Sequence, residues 1–216
     1  MKNINYLLFD YDGTLLDSKK PMINVFHILC LNYGTKVFSK KEIDNQFGSG
    51  FRNICESLDK TKRVEIDQMY YKLMAAEEEK HARLFTGVKE NLTCLKNMGY
   101  NLALVTNKER PIVQLTLNSF GLTNLFNTIV TISDVTNPKP HAEPIVKAMT
   151  AMGAPKDETM MLGDTLFDVG AAKNAGIASA VIDWHNIYPL KELEPDFYFH
   201  NLGEFMLKIY EYQEVG

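Results

Sequence analysis

The stretch Asp10-Tyr11-Asp12-Gly13-Thr14-Leu15-Leu16-Asp17-Ser18 directly follows the apolar run Ile4–Phe9. A short apolar run that ends in an Asp- and Gly-containing turn reads as a buried strand and its exit. Two carboxylates two residues apart are costly to hold together. At ~4 Å and an effective dielectric near 20 they repel by ~4 kcal/mol. A cation, a basic side chain or a proton must offset that repulsion. Gly13 permits a tight turn that a Cβ would hinder. In open α/β sheets ligands bind beyond the carboxyl ends of strands, which is where this acidic pair falls.

Further short apolar runs follow much later, at Leu102–Val105, Ile129–Ile132, Met160–Leu162, Ala178–Ile182 and Phe197–Phe199. Helical patterns separate them, and that alternation predicts an α/β fold with a mostly parallel sheet. Glycines stop those helices where a C′ residue is expected. Gly99 follows Val88–Met98, Gly121 follows Pro111–Phe120, Gly153 follows Glu143–Met152, and Gly176 follows Leu166–Ala175. A last helix over Phe205–Tyr212 is expected to start at Asn201, with Glu204 completing a capping box.

Residues 19–84 differ, because they carry helical patterns and no convincing strand. Pro21 suits a first helical turn, and Ser39 with Glu42 suits a capping box. Thr61 opens a long pattern through Val64, Ile66, Met69, Leu73 and Met74. Such a block placed after the first strand is an insertion. The predicted division is a core of residues 1–18 and 85–216 and a helical cap of residues 19–84. The connections near Leu16–Lys20 and Leu84–Gly87 are then hinge candidates.

With 216 residues, the chain has room for one α/β domain and a small insertion, not for two large domains. A net charge of −4 supplies no overall positive field for nucleic acid or an anionic membrane. No apolar run is long enough to span a bilayer, and the N-terminal run is broken by Asn5, unlike a signal peptide. The cysteines Cys30, Cys55 and Cys94 are odd in number and widely spaced, which predicts a reducing, cytoplasmic setting.

Three of the later strands are followed by residues that carry chemistry. Thr106 and Asn107 stand after the second run, Lys139 in Asn137-Pro138-Lys139-Pro140 after the third, and Gly163-Asp164-Thr165-Leu166-Phe167-Asp168 after the fourth. A parallel sheet would gather all of them at one edge. This ordered set, DxDGT, Thr-Asn, Lys-Pro and GDxxxD, resembles the haloacid dehalogenase superfamily over essentially the whole chain. It is most similar to the phosphoglycolate phosphatase and β-phosphoglucomutase type members, with a helical cap after the first motif. Tyr11 stands where Phe is more usual, and Ala142 where a second Pro often follows.

The resemblance implies a Rossmann-like core and a Mg²⁺-dependent phosphatase for a small phosphorylated metabolite. It implies that Asp10 is the nucleophile that forms an aspartyl-phosphate, and Asp12 the general acid and then base. Thr106, with Asn107 beside it, would hold phosphoryl oxygens, and Lys139 would balance charge. Asp164 would ligate Mg²⁺ with the Asp10 carboxylate and the Asp12 backbone carbonyl, and Asp168 would act from behind them or through water. Asp168 also suits a plain first-turn helix acid. Arg52, after the glycines of Phe47-Gly48-Ser49-Gly50-Phe51-Arg52, is a candidate contact to an anionic group of the substrate.

Other readings weigh against this one. A mutase shares the four motifs, but its first motif commonly has Val where this chain has Thr14. A dehalogenase proper lacks the second Asp of that motif, and a phosphorelay receiver has its accepting Asp after strand three, where this chain has Lys139 and its second acidic pair follows strand four. Pyrophosphate is an alternative substrate, and a non-catalytic metabolite-binding protein would be expected to lose a charged motif. Glu77-Glu78-Glu79-Lys80 reads as a solvated helix face, and Met149, Met152, Met160 and Met161 as core fillers. His141 and Trp184-His185 read as loop residues.

Overall fold

A computed structural model describes residues 3–34, 39, 42, 58–185 and 193–214. Strands β1 (Tyr6–Phe9), β4 (Asn101–Val105), β5 (Thr128–Val130), β6 (Thr159–Gly163), β7 (Ala178–Ile182) and β8 (Phe197–Phe199) form one sheet in the order β5-β4-β1-β6-β7-β8. Every pairing in it is parallel. Helices α3 (Val88–Asn97), α4 (Arg110–Phe120), α5 (Glu143–Met152), α6 (Leu166–Ala175) and α7 (Leu202–Glu214) connect and cover the strands.

Strand alternation builds both faces of the core. Leu7 and Phe9 of β1, Leu102 and Leu104 of β4, and Met160 and Leu162 of β6 point to one side, where α3, α4 and α7 pack. Leu8, Ala103, Val105 and Met161 point to the other, against Ile145 and Ala148 of α5 and Ala171 and Ala172 of α6. The result is an α/β three-layer sandwich, as the alternating pattern predicts. Gly121, Gly153 and Gly176 end their helices in the left-handed conformation. Asn201 Oδ1 accepts from the Glu204 N–H at 2.9 Å, and the Glu204 carboxylate turns back to the N–H of His200 rather than that of Asn201.

The third apolar run is shorter as a strand than its sequence suggests. Ile132 leaves the sheet and opens a single 3₁₀ turn, because Thr131 and Asp134 cap each other there. Residues 16–17 and 83–84 also differ from expectation. They pair as a two-stranded antiparallel ribbon, β2 (Leu16–Asp17) with β3 (Arg83–Leu84), so the two connections of the helical block run side by side.

Between those connections lie α1 (Lys19–Tyr33) and α2 (Arg63–His81). They pack on each other through Met22, Val25, Phe26 and Leu29 against Ile66, Tyr70 and Met74, with Ile112 of α4 joining from below. Val64 is exposed and takes no part. Ser39 and Glu42 make the expected reciprocal cap bonds. Phe47 to Arg52 lie outside the described residues, and with them the proposed contact through Arg52. Among the described residues, no helix is long and apolar enough to cross a membrane.

Candidate active site

β1 sits between β4 and β6, and the chain moves outward on one side to β5 before returning to the other. That reversal is the switch point where an open α/β sheet leaves a crevice beyond its strand ends. The ladder carries Asp10 one residue past β1, where its N–H donates to Leu162 O at 2.8 Å. It carries Thr106 past β4 in the same way, donating to Val130 O at 3.0 Å. The parallel sheet therefore brings Asp10, Thr106 and Asp164 to one edge, and the loop after β5 adds Lys139.

Lys139 is the centre of the group. Its Nζ lies 2.8 Å from Asp10 Oδ1 and 2.6 Å from Asp168 Oδ1, and it donates to Val105 O at 2.9 Å. All three ammonium protons thus have acceptors in a buried place. Burial alone would lower the lysine's pKa, but Asp10 and Asp168 outweigh that and hold it above the usual range. Asn107 fixes the loop, since its Oδ1 accepts from the Lys139 N–H and its Nδ2 donates to the Lys139 carbonyl, both at 3.0 Å. This geometry makes Asn107 a support of Lys139.

The other carboxylates are held just as firmly. Asp164 Oδ1 accepts from the Thr14 hydroxyl at 2.8 Å. Asp168 Oδ2 caps α6 through the Thr165 hydroxyl and N–H, while its Oδ1 meets Lys139. Asp168 is thus both the helix-start acid and a partner of the lysine. Oxygens of Asp10, Asp164 and Asp168 lie within 4.8 Å of one another. Burial, then the charge of Asp168, pushes Asp10 up to about 7, against the pull of Lys139. Burial, then Asp10 and Asp168, likewise holds Asp164 well above the usual carboxylate range.

Three carboxylates against one ammonium leave two negative charges unbalanced in this buried place. A divalent cation offsets that charge, and an all-oxygen donor set suits Mg²⁺. The residues present therefore fit the metal.

Asp12 belongs to a second cluster. Its Oδ1 accepts from Ser18 Oγ and, at 2.7 Å, from Lys108 Nζ. Lys108 also donates to Glu78 of α2, and Tyr70 of α2 donates to Glu109 at 2.9 Å. Glu78 is 2% exposed, so the reading of Glu77–Lys80 as a solvated face is wrong at this residue. The signal was present in the spacing, because Ile66, Tyr70, Met74 and Glu78 follow at intervals of four and share one helix face. Lys108 was equally available, directly after Thr106-Asn107.

Gly13 and Trp184 shape the turn beside Asp164. Trp184 stacks on Phe85 at 4.5 Å and donates its indole N–H to the Thr14 carbonyl at 2.9 Å, so it braces the turn that holds Asp164. His141 is exposed, and its ring accepts the Glu143 N–H at 3.1 Å, which is a loop role.

A twisted parallel sheet with acidic groups, a threonine and a lysine beyond its strand ends defines a class of α/β enzymes that handle an anionic ligand at the switch point. The chain belongs to the haloacid dehalogenase-like hydrolases, whose family profile matches residues 7–182. It is 33% identical over 205 residues to the pyrophosphatase PpaX of Halalkalibacterium halodurans, covering 94% of this chain and 95% of that one. Among solved structures, it is similar to a predicted phosphoglycolate phosphatase from Haemophilus somnus, with a TM-score of 0.85 at 26% identity. That match covers 97% of this chain and 99% of the other. A haloacid dehalogenase-like hydrolase of Streptococcus pneumoniae gives a TM-score of 0.80 at 26% identity, covering 97% and 100% of the two chains.

A Cβ added to Gly13 would lie 2.0 Å from Asp164 Oδ2, and the residue sits at φ +82°. We expect Gly13→Ala to lose roughly 1–2 kcal/mol of stability from the left-handed backbone alone. It should also weaken Mg²⁺ binding by displacing Asp164. Urea unfolding and a Mg²⁺ titration of the purified variant check both effects.

Proposed function

We propose that the protein is a Mg²⁺-dependent phosphatase that hydrolyses a small-molecule phosphomonoester through an aspartyl-phosphate on Asp10. The observation that carries this reading is Asp10 held by Lys139 at 2.8 Å, with a second carboxylate, Asp12, two residues on. Residues 19–84 act as a cap over the site, and the paired connections β2 and β3 serve as its hinge. A cytoplasmic setting agrees with a small phosphorylated substrate.

Asp10 attacks phosphorus, so that an Asp10 oxygen–phosphorus bond forms while the bond to the leaving oxygen breaks. Asp12 delivers a proton to that oxygen. It then takes a proton from water as water attacks phosphorus and releases Asp10. Lys139 lies beside Asp10 and favours its charged form, and its charge balances the phosphoryl group. The Thr106 hydroxyl accepts the Lys108 N–H at 3.2 Å, which leaves its own proton for a phosphoryl oxygen. Asp10, Asp164 and the Asp12 backbone carbonyl are the proposed Mg²⁺ ligands, with Asp168 adjoining. Bound there, the metal would screen the repulsion between an anionic nucleophile and an anionic phosphate. Arg52 is proposed as a contact to a further anionic group on the substrate.

A second reading, inorganic pyrophosphate as substrate, is favoured by the relatives called pyrophosphatase PpaX, among them that of Bacillus velezensis at 32% identity. Phosphate release from a panel of phosphoglycolate, sugar phosphates, nucleoside monophosphates and pyrophosphate separates the two. Asp10→Asn should abolish release from every panel member while thermal melting stays near that of the wild type. Turnover near wild type in that variant, free of deamidation, refutes the nucleophile.

Asp12→Ala should slow alkyl phosphates more than aryl phosphates, by roughly 10²–10⁴-fold for a basic leaving oxygen. Pyrophosphate expels a phosphate, a better leaving group, and should be affected less than an alkyl ester. Equal losses across leaving groups would remove the proton-transfer role.

EDTA should silence the wild type, and Asp164→Ala should raise the Mg²⁺ concentration needed for half-maximal activity. An unchanged Mg²⁺ dependence in that variant moves the ligand role to Asp168.

A further inference from the structure

The helical block meets the core through two polar ties on one face of α2. Ile66 and Met74 of that face pack against α1, whereas Tyr70 and Glu78 reach Glu109 and Lys108. Lys108 and Glu109 are consecutive and stand just past β4. One buried ammonium therefore joins a carboxylate of the helical block to Asp12, which it meets at 2.7 Å.

Stability does not explain this arrangement. A buried ion pair is commonly matched or exceeded by apolar residues of similar volume. Glu78 Oε2 has no hydrogen-bond partner among the described residues, and burial pushes the Glu78 carboxyl up to about 7 against the pull of Lys108. Glu109, also buried beside Lys108, is raised as well, first by burial. A leucine or methionine at position 78 would continue the apolar face without that penalty. Ser18 Oγ and Lys108 Nζ both donate to the same Asp12 oxygen, Oδ1. The two donors fix the rotation of the carboxylate and leave Oδ2 for proton transfer.

We propose that Glu78 and Lys108 are positioning residues for Asp12, through which docking of the helical block aligns the acid/base with the leaving oxygen. The inference rests on the reading of Asp12 as that acid/base. Glu78 travels with the block, so Lys108 is anchored on both sides only when the block is seated. Asp12 then presents one oxygen in one orientation, and a small misplacement of such a group is enough to cost roughly 10²-fold in rate.

The test compares the best alkyl phosphomonoester of the panel with p-nitrophenyl phosphate, in the full chain with saturating Mg²⁺. Glu78→Gln should lower kcat on the alkyl ester by roughly 10- to 100-fold, with KM and the aryl rate changing by less than about threefold. In a Lys108→Met background, adding Glu78→Gln should change kcat by less than about twofold, because the two act as one unit. Independent losses, equal losses on both substrates, or wild-type kcat in Glu78→Gln overturn the proposal. If Asp12→Asn itself leaves alkyl turnover unchanged, the acid/base reading has failed. If Asp12→Asn is slow and Glu78→Gln is not, only the positioning role has failed. Should Glu78→Gln not fold, the double variant Glu78→Leu/Lys108→Met removes both charges together. Folded and slow on the alkyl ester supports the proposal, and folded with wild-type kcat refutes it.

Discussion

A single ammonium, Lys139 Nζ, sits buried between Asp10 and Asp168 with the Val105 carbonyl as its third acceptor. Much of the structure around the strand ends serves that placement. Asn107 clamps the lysine's own backbone. Asp168 is aimed at it by the capping box that starts α6. Gly163 leaves room for Asp168, because a Cβ there would lie 2.2 Å from its Cγ. A buried lysine with these partners keeps its charge, where an isolated one would lose it. The positive charge beside Asp10 is therefore a permanent part of the site.

The topology explains why so few residues suffice. Parallel strands present their carboxyl ends to the same side, so residues far apart in sequence arrive together without long loops. Asp10, Thr106 and Asp164 each stand one residue past a strand or at its last turn. Only Lys139 needs a longer path, and the Thr131–Asp134 cap begins that path by ending β5 early. Arg110 then holds Asp134, which ties the loop to α4.

The core and the first cluster were legible in the sequence for physical reasons. Strands β7 and β8 and helices α5 and α6 have their observed bounds in the apolar runs and the glycines that stop them. Asp10 and Asp164 were legible because charges next to apolar strands have few structural uses, and Lys139, farther from its strand, only through its place in the ordered set of motifs. Glu78 was not, since a run of Glu and Lys on a helix is usually solvated, and only its four-residue spacing from Met74 and Tyr70 marks it as inward. The bracing of Thr14 by Trp184 was beyond reach, because 170 residues separate two groups that no periodicity links. The ribbon β2–β3 is too short for a strand pattern and exists because the two connections run side by side.

The two clusters share one design with different anchoring. Each puts one buried lysine among several acids: Lys139 among Asp10 and Asp168, Lys108 among Asp12 and Glu78, with Glu109 close by. In the first, every partner belongs to the α/β core, Asp10 and Val105 at strand ends and Asp168 in the first turn of α6, so the charge balance is set by the core alone. In the second, Glu78 belongs to α2, which reaches the core across a different packing cluster. Buried ion pairs lose little when both partners go together and much when one goes alone. Separation of α2 from the core would leave Lys108 paired with Asp12 alone and Glu78 without its cation, and for Glu78 that is the unfavourable case unless water reaches it. The ion pair thus ties the position of α2 to the solvation of Asp12, and it does so through one side chain rather than through the apolar surface that α2 buries.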